Sequence, residues 1–351
     1  MNDFFDKDFE FEKVIKKSRR ITNLKIIGIS TVICILLIGI SYFINKDIVA
    51  TIDANQSKFL QSYYKLRRPN EYIGSVKATN GILENTLEYT TYKIINSKPI
   101  YNGTYSLKTN LFDKKSGELG YDEGYVRNSI FVGEDKNTGG LMEYNSMGYK
   151  KMRFYHPKAK YYREPNEIKE MNNLDENSYA EVAISFNKSF SFEEAYKMIP
   201  NNLDISWYWI DDYKGDKLKE HKKFAKSGKS DYISQDGVVG VRGIDRFGKK
   251  IKPNNSNKED GTLENEFVDA YVHGLSLKYI DNKAFIDIKK DLDLEYLTKD
   301  VDLDKLYYHN EPINLNDPLE VIGVVVTGKV KDIKALEDNK NIKASVLGYY
   351  K

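Results

Sequence analysis

The chain has 351 residues, and its 54 basic and 52 acidic residues leave a net charge of +2. This near-neutrality gives no reason to expect nucleic acid as a partner, because nucleic-acid-binding surfaces are strongly basic. Hydrophobic residues make up 40% of the chain, including 27 tyrosines and 16 phenylalanines, so a sizeable core can form. The single cysteine, Cys34, excludes a domain stapled by internal disulfides.

The N-terminal part of the sequence carries one long apolar run, Ile26 to Ile44, without a charged side chain. Its 19 residues approach the roughly 20 that a helix needs to cross a hydrocarbon core. The run is longer than the apolar core of a signal peptide, and no Ala-x-Ala cleavage site follows it. We therefore predict a retained transmembrane helix at residues 26–44, with the lipid bilayer as a partner, rather than a cleaved leader.

Charges flank this run unequally, since six basic residues between Lys13 and Lys25 stand immediately before it, whereas Lys46 and Asp47 cancel after it. The positive-inside rule predicts a single-pass protein of the cell membrane with a cytoplasmic N-terminus and an extracellular part from residue 47 to residue 351. That part lacks cysteine and is rich in Lys, Asn, Ile and Tyr, which is typical of the outer surface of a Gram-positive bacterium with an AT-rich genome. The six basic residues are Lys13, Lys16, Lys17, Arg19, Arg20 and Lys25.

Residues 1–25 are too few for a globular domain, and we predict a cytoplasmic amphipathic helix that runs into the span. Its acidic beginning and basic end suit the helix dipole. Two interpretations stay open: the helix lies on lipid headgroups through its basic residues, or its phenylalanines fill a groove of a partner protein. The candidate partner-binding residues are Phe5, Phe9, Phe11 and Ile15 as apolar anchors, with Asp6, Asp8, Glu10 and Glu12 as acidic contacts.

Beyond the span, residues 45–68 carry apolar side chains at helical spacing and predict a stalk helix that Pro69 ends. Residues 69–175 alternate like β-strands, for example from Glu88 to Ile95 and from Gly124 to Val132, and predict a membrane-proximal β-rich region. Asn102-Gly103 is one of its predicted turns.

His156 stands in an aromatic segment, Phe154-Tyr155-His156-Pro157. No cysteine or second histidine lies at metal-ligand spacing from it, so we interpret this segment as a strand followed by a turn, with a structural histidine.

Residues 176–351 predict a C-terminal α+β sensor domain built from two strand-helix-strand units of matching length. Ser191 and Glu194 form a capping box that begins the first helix. The fold class is therefore α+β: a single N-terminal transmembrane helix, then an extracellular β-rich region and a ferredoxin-like split βαβ domain. The units are Glu181–Phe186, Ser191–Ile199 and Asp204–Ile210, then Val321–Thr327, Lys331–Glu337 and Ile342–Tyr349.

A long insertion, from about residue 215 to residue 315, separates the two units. It predicts a hairpin ending at Gly237–Val241 and a helix from Phe267 to Leu277. Trp207 and Trp209 share one face of their strand, and we expect both in the core.

Motifs for chemistry are absent from the sequence: it has no nucleophile elbow, phosphate loop or His-Glu-x-x-His pattern. Asp300, Asp302, Asp304 and Glu311 have the spacing of a calcium loop, but Lys305 occupies the position that needs glycine for the turn. We therefore predict no catalytic residues, no metal and no cofactor, and a protein that is not an enzyme.

Several segments resemble the bacterial sigma factor regulators of low-GC Gram-positive bacteria, which are membrane-anchored anti-sigma factors with distinct N-terminal and C-terminal domains. The N-terminal resemblance lies in Phe9 to Arg20, which runs into the span. The later resemblance lies in Phe154–Pro157, Glu181–Phe186, Ser191–Pro200 and Ile205–Trp209.

This resemblance implies that the cytoplasmic segment sequesters an extracytoplasmic-function sigma factor and that the ectodomain senses the state of the cell envelope. A second membrane protein is a further candidate partner. The alternative is a surface-exposed module that binds cell wall or protein and has no regulatory tail. A cell-wall enzyme is a third class, for which the sequence gives no support.

Overall fold

The computed structural model describes the fold of most of the chain. The described residues are 3–81, 84–110, 130–134, 141–226, 232–253 and 318–351, with the helical residues Leu263, Glu266, Phe267 and Ala270.

Helix α1 spans Asp3–Arg67 without interruption. Its 65 residues correspond to a length of about 97 Å at the usual helical rise. Within it, Lys13–Thr51 is long and apolar enough to cross a membrane, and the rest of the protein buries none of its apolar window. The chain leaves the helix through Pro69 and through Asn70, whose φ of 52° lies in the left-handed region.

A three-stranded antiparallel sheet follows, in the order β1 (Tyr72–Asn80), β2 (Glu84–Ile95) and β3 (Lys98–Asn110). Asn96 and Ser97 form the two-residue turn between β2 and β3, and their φ angles of 53° and 56° are those of a type I′ hairpin.

The prediction of a turn at Asn102-Gly103 was wrong. Both residues lie inside β3, where Gly103 pairs with Thr91 and the register shifts by one residue. Gly103 has a φ of 129°, which glycine adopts without a steric penalty, so this dipeptide marks a β-bulge.

Two further strands, β4 (Ile130–Glu134) and β5 (Leu141–Tyr144), pair antiparallel with each other. β4 includes the end of the strand predicted at Gly124–Val132, whose first six residues lie outside the described part.

A five-stranded antiparallel sheet forms the C-terminal part, with the strand order β10-β8-β11-β7-β12. Two-residue strands β6 and β9 pair with each other outside this sheet. The bounds are β6 Arg153–Phe154, β7 Tyr179–Phe190, β8 Asp204–Ile210, β9 Ile233–Ser234, β10 Val239–Arg242, β11 Val321–Lys329 and β12 Ile342–Tyr350. The helices are α2 Glu167–Glu170, α3 Phe192–Met198, α4 Gly215–Lys226 and α5 Val330–Lys334, and single 3-10 turns span Met171–Asn173 and Gln235–Gly237.

Two strand-helix-strand units interleave in this sheet. Helix α3 connects β7 to β8 and begins with the predicted capping box of Ser191 and Glu194. Helix α5 connects β11 to β12 and is shorter than the predicted Lys331–Glu337. Strand β11 lies between β7 and β8, and β7 lies between β11 and β12.

Both faces of this sheet are covered. One face packs under α3 and α5 in a core that includes Val182 and Val324. On the other face Trp207 and Trp209 are fully buried against Phe154, with the Phe154 and Trp209 ring centroids 5.2 Å apart. The prediction that both tryptophans are core residues is confirmed.

The hairpin predicted to end at Gly237–Val241 was wrong. Strand β10 pairs with β8, while the preceding strand β9 pairs with β6. A 3-10 turn lies between β9 and β10 and separates these two strands. Gly240 lets the backbone of β10 approach that of β8, because a Cβ atom at this position would lie 2.0 Å from the Tyr208 carbonyl oxygen. The helix predicted at Phe267–Leu277 is described only at Phe267 and Ala270, and the calcium-like string lies outside the described residues.

Candidate functional site

The C-terminal end of α1 is embedded in the folded body. Leu60 and Tyr64 pack with Leu87 and Tyr89 of the three-stranded sheet. Leu66, six residues after Leu60, belongs to the core of the five-stranded sheet. The last turns of α1 therefore contact both sheets, and apolar burial of this kind fixes the position of the helix end.

A buried polar network surrounds this helix end, and we call it the junction. It includes residues from the helix end, β2, β7, β10 and the 3-10 turn before β10. Its members are Arg68, Asn70, Glu71, Lys93, Glu181, Gln235, Asp236 and Arg242.

Arg68 connects the helix end to the 3-10 turn. Its guanidinium pairs with Asp236 and lies over the rings of Tyr63 and Tyr64, at 5.5 and 5.8 Å from their centroids. Burial alone would lower the pKa of Arg68, but the combined attraction of Asp236, Tyr63, Tyr64 and Glu71 outweighs it, and the pKa is raised. Asp236 also lies 3.4 Å from the Nζ atom of Lys151, so two cations surround this carboxylate.

Asn70 and Glu181 join the helix end to both sheets. The amide of Asn70 donates to Glu181 Oε1 at 2.7 Å and to the carbonyl of Ile94 at 3.1 Å. Lys93 Nζ lies 2.5 Å from Glu181 Oε2, and the side chains of this ion pair are 3% and 0% exposed. Ion pairs this deeply buried hold their geometry strictly, because separating the charges leaves each one without water.

Glu71 forms the third connection. Its carboxylate accepts a 3.4 Å hydrogen bond from Gln235 Nε2, and its backbone carbonyl accepts from Arg242 at 2.9 Å. Burial raises the pKa of Glu71, and the nearby charge of Arg68 opposes the rise. Gln235 in turn exchanges two hydrogen bonds with the backbone of Met152, at 2.9 and 3.1 Å.

The junction ties the end of α1 to the folded body and the two sheets to each other. Arg68 and Asn70 hold the helix end through Asp236, Glu181 and the Ile94 carbonyl, while the buried Lys93–Glu181 pair joins β2 to β7, and leaving one member of that pair unpaired costs about 3–5 kcal/mol. No group of three or more His, Cys, Asp or Glu is placed to hold a metal among the described residues.

A second polar cluster surrounds His156, which is fully buried after β6. Its Nε2 atom lies 3.1 Å from Asp211 Oδ1, and its Nδ1 atom accepts from the backbone N–H of Lys158 at 3.1 Å. The Tyr161 hydroxyl accepts from the His156 backbone N–H at 2.7 Å, and its oxygen lies 2.6 Å from His221 Nε2 in a second hydrogen bond. These contacts within the fold agree with the structural role predicted for His156.

The predicted partner-binding residues all fall on α1, before the apolar run. Of the eight, the structure describes the side chain of Ile15, which is exposed. For Phe5, Phe9, Phe11, Asp6, Asp8, Glu10 and Glu12 it describes the helical backbone alone.

Sequence reasoning missed the junction. A signal was present, because Lys93 stands beside Ile94 and Ile95 and Glu181 stands beside Val182 and Ala183, and charges are rarely buried without a partner. The sequence could not pair them, since they lie 88 positions apart.

Two family models match the chain. The model described as Sigma factor regulator N-terminal matches residues 12–100, and the model described as Sigma factor regulator C-terminal matches residues 171–349. The chain therefore belongs to the sigma factor regulator family, as its sequence predicted. No curated protein and no solved structure matches it significantly.

Membership in this family supports an anti-sigma factor role and implies a sigma factor as partner. The family is regulatory. The single long apolar helix near the N-terminus fits a single-pass membrane anchor.

Proposed function

We propose that this protein is a membrane-anchored anti-sigma factor that holds an extracytoplasmic-function sigma factor through residues 1–25. The apolar run 26–44 crosses the membrane, and the chain from residue 47 onward is extracellular and responds to the state of the envelope. The observation that carries this proposal is the continuity of α1, which passes from the partner-binding segment through the apolar run into the junction.

The unequal flanking charge supports a cytoplasmic N-terminus, because the six basic residues precede the apolar run. The acidic residues at the start of α1 complement a DNA-binding partner with basic surface, whereas an anionic leaflet would repel them. A second membrane protein that contacts the outer part is compatible with this arrangement. The composition favours a Gram-positive source.

We also propose a ferredoxin-like split βαβ core for the C-terminal sensor domain, residues 176–351. The antiparallel order β8-β11-β7-β12, with helices after β7 and β11, supports it, with β10 as an added edge strand. The remaining proposed parts are the cytoplasmic segment 1–25, the span 26–44, the stalk 45–68 and the β-rich region 69–175.

Co-purification from membranes tests the sigma factor contact. Replacing Phe5, Phe9 and Phe11 together with alanine should remove the sigma factor from the tagged full-length protein and derepress its regulon. The matched control replaces Lys13, Lys16 and Lys17 with glutamine, which weakens lipid contact and leaves the apolar anchors in place. If a peptide of residues 1–25 recovers no sigma factor while the full-length protein does, the proposed contact is wrong.

The same experiment separates the regulator from a surface-binding module. Deleting residues 1–20 should abolish repression by a regulator, whereas a binding module would keep its activity.

Coupling between the outer part and the cytoplasmic segment is tested by Lys58→Pro, which breaks the stalk helix at an exposed position. The control Lys58→Ala keeps the helix intact. We expect the proline variant to retain the sigma factor and lose the response to envelope stress.

A further inference from the structure

The hairpin of β1 and β2 reaches back along α1 toward the end of the apolar run. Strand β1 begins at Tyr72, directly after the helix, and its 9 residues span about 30 Å. The helical stretch from Asn45 to Arg67 covers about 33 Å. The two lengths match, so β1 retraces the stalk to the level of Asn45.

Two side-chain contacts fix this end of the hairpin. Asn45 donates from Nδ2 to the carbonyl of Gly81 at 3.2 Å, and Asn85 donates from Nδ2 to Asp53 Oδ1 at 3.3 Å. Asn45 directly follows Ile44, the last residue of the apolar run. Where the run ends the hydrocarbon ends, so Gly81 lies at the depth of the lipid headgroups.

We propose that the tip of this hairpin, defined by Asn80, Gly81 and Glu84, contacts the phospholipid headgroups of the bilayer that α1 crosses. This inference rests on the proposed membrane anchor. We choose the lipid surface as the partner because the apolar run leads directly into it. Asn45 binds the tip where that run ends.

The composition of the tip suits this environment. Asn80 is exposed and neutral, Gly81 carries no side chain, and the acidic Glu84 is half-buried. The headgroup region accepts such polar backbone groups because it is hydrated, whereas the hydrocarbon core does not. The ectodomain would thus touch the membrane at a second place, beside the helix itself.

Depth measurements in vesicles test the contact. The full-length protein, with Cys34 replaced by alanine, carries a fluorophore on Asn80→Cys, Lys77→Cys or Lys98→Cys in turn. All three positions are exposed on the same sheet, and Lys98 pairs with Ile95 at its opposite end, about 33 Å from the tip. The vesicles contain phosphatidylcholine and phosphatidylglycerol, with a nitroxide quencher on the headgroup.

We expect the N80C label to lose most of its fluorescence, the K77C label to lose less and the K98C label to keep it. Equal, weak quenching at all three positions would overturn the inference. Labelling the native Cys34 in mid-span and quenching it with nitroxide on the acyl chains separates the two proposals. If Cys34 is quenched and N80C is not, the anchor stands and the tip contact fails. If Cys34 is not quenched, both fail.

Discussion

The two ends of α1 differ in what surrounds them, although they belong to one helix. From Lys13 to Ile44 its described side chains lie exposed along nearly the whole length, and apolar ones such as Ile35 and Leu36 are about 60% exposed. From Leu60 onward the helix is buried against two sheets. The first half needs lipid or a partner to cover it, whereas the second half is held by the protein itself.

With the proposed transmembrane topology, one continuous helix would connect two compartments. The buried end of α1 is fixed by tertiary contacts with both sheets. The exposed end presents its surface to whatever binds there. Because the helix is continuous, a displacement at the junction is carried along its axis rather than absorbed in a loop.

Lys93→Ala should produce the largest loss of stability, because it leaves Glu181 as a buried charge without its ion-pair partner. We expect a loss of about 3–5 kcal/mol. Denaturant unfolding followed by tryptophan fluorescence measures it, since both tryptophans lie in the core. The control Lys98→Ala, exposed on the same hairpin, should change stability by less than about 0.5 kcal/mol.

The double substitution of Lys93→Met with Glu181→Leu sharpens this result. Replacing both members of a buried pair with apolar residues is often neutral, so the lost stability should return except for the hydrogen bond that Asn70 loses at Glu181. If the single and double variants unfold alike, burial of an unpaired charge is not the cause.

Leu60→Ala and Leu36→Ala compare the same truncation at the two ends of α1. Leu60 is fully buried, so we expect a loss of about 2–5 kcal/mol from the cavity that it leaves. Leu36 is 59% exposed and should have almost no effect on the unfolding of the sheets. Similar losses for the two variants, measured by the same unfolding experiment, would break the contrast between the ends.

Asn70 and Asn45 make a second matched pair, one at each end of the stalk. Asn70→Ala removes buried hydrogen bonds to Glu181 and Ile94 and should cost about 1–3 kcal/mol. Asn45→Ala removes the partly buried contact to Gly81 and should cost about 1 kcal/mol or less. A larger loss for Asn45 would place the stronger attachment at the membrane end.

The dependence of stability on pH should come from the folded body and not from the span. Burial lowers the pKa of His221 to about 4, with further lowering by His156, Lys217 and Lys343. The unfolded chain binds this proton below its ordinary pKa of about 6.5. The contribution is therefore complete above pH 6.5 and is lost as the pH falls from 6.5 toward 4.

His221→Gln keeps an acceptor for the Tyr161 hydroxyl and does not titrate. Unfolding measured from pH 7 to pH 4 should show a shallower loss of stability for this variant than for the wild type. An unchanged slope would assign the pH dependence to other groups.

The sequence predicted the elements whose signal is local. Helix α3 begins at the capping box of Ser191 and Glu194 and ends before Pro200, as the sequence predicted. These signals are readable because caps and helix breakers act within one turn. The alternation around Trp207 and Trp209 predicted a strand with both tryptophans on one buried face, which the sheet confirms. The apolar run likewise predicted the N-terminal helix.

Predictions failed where pairing over distance decides the structure. Asn102-Gly103 has turn residues but bulges inside β3, because the real turn at Asn96-Ser97 sets the register of β2 and β3. Strand β10 has hairpin signals beside it but joins β8, which becomes available only once the five-stranded sheet has assembled.

The sequence alone determined the membrane helix, its flanking charges and the family, because each depends on composition or on motifs within short segments. Tertiary structure decided the junction. Lys93 of β2 pairs with Glu181 of β7, and Arg68 at the helix end pairs with Asp236 of the 3-10 turn, so each pair forms only when separate parts of the chain pack together. The first pair connects the two sheets and the second fixes the end of α1, since a charge removed from water must keep its partner.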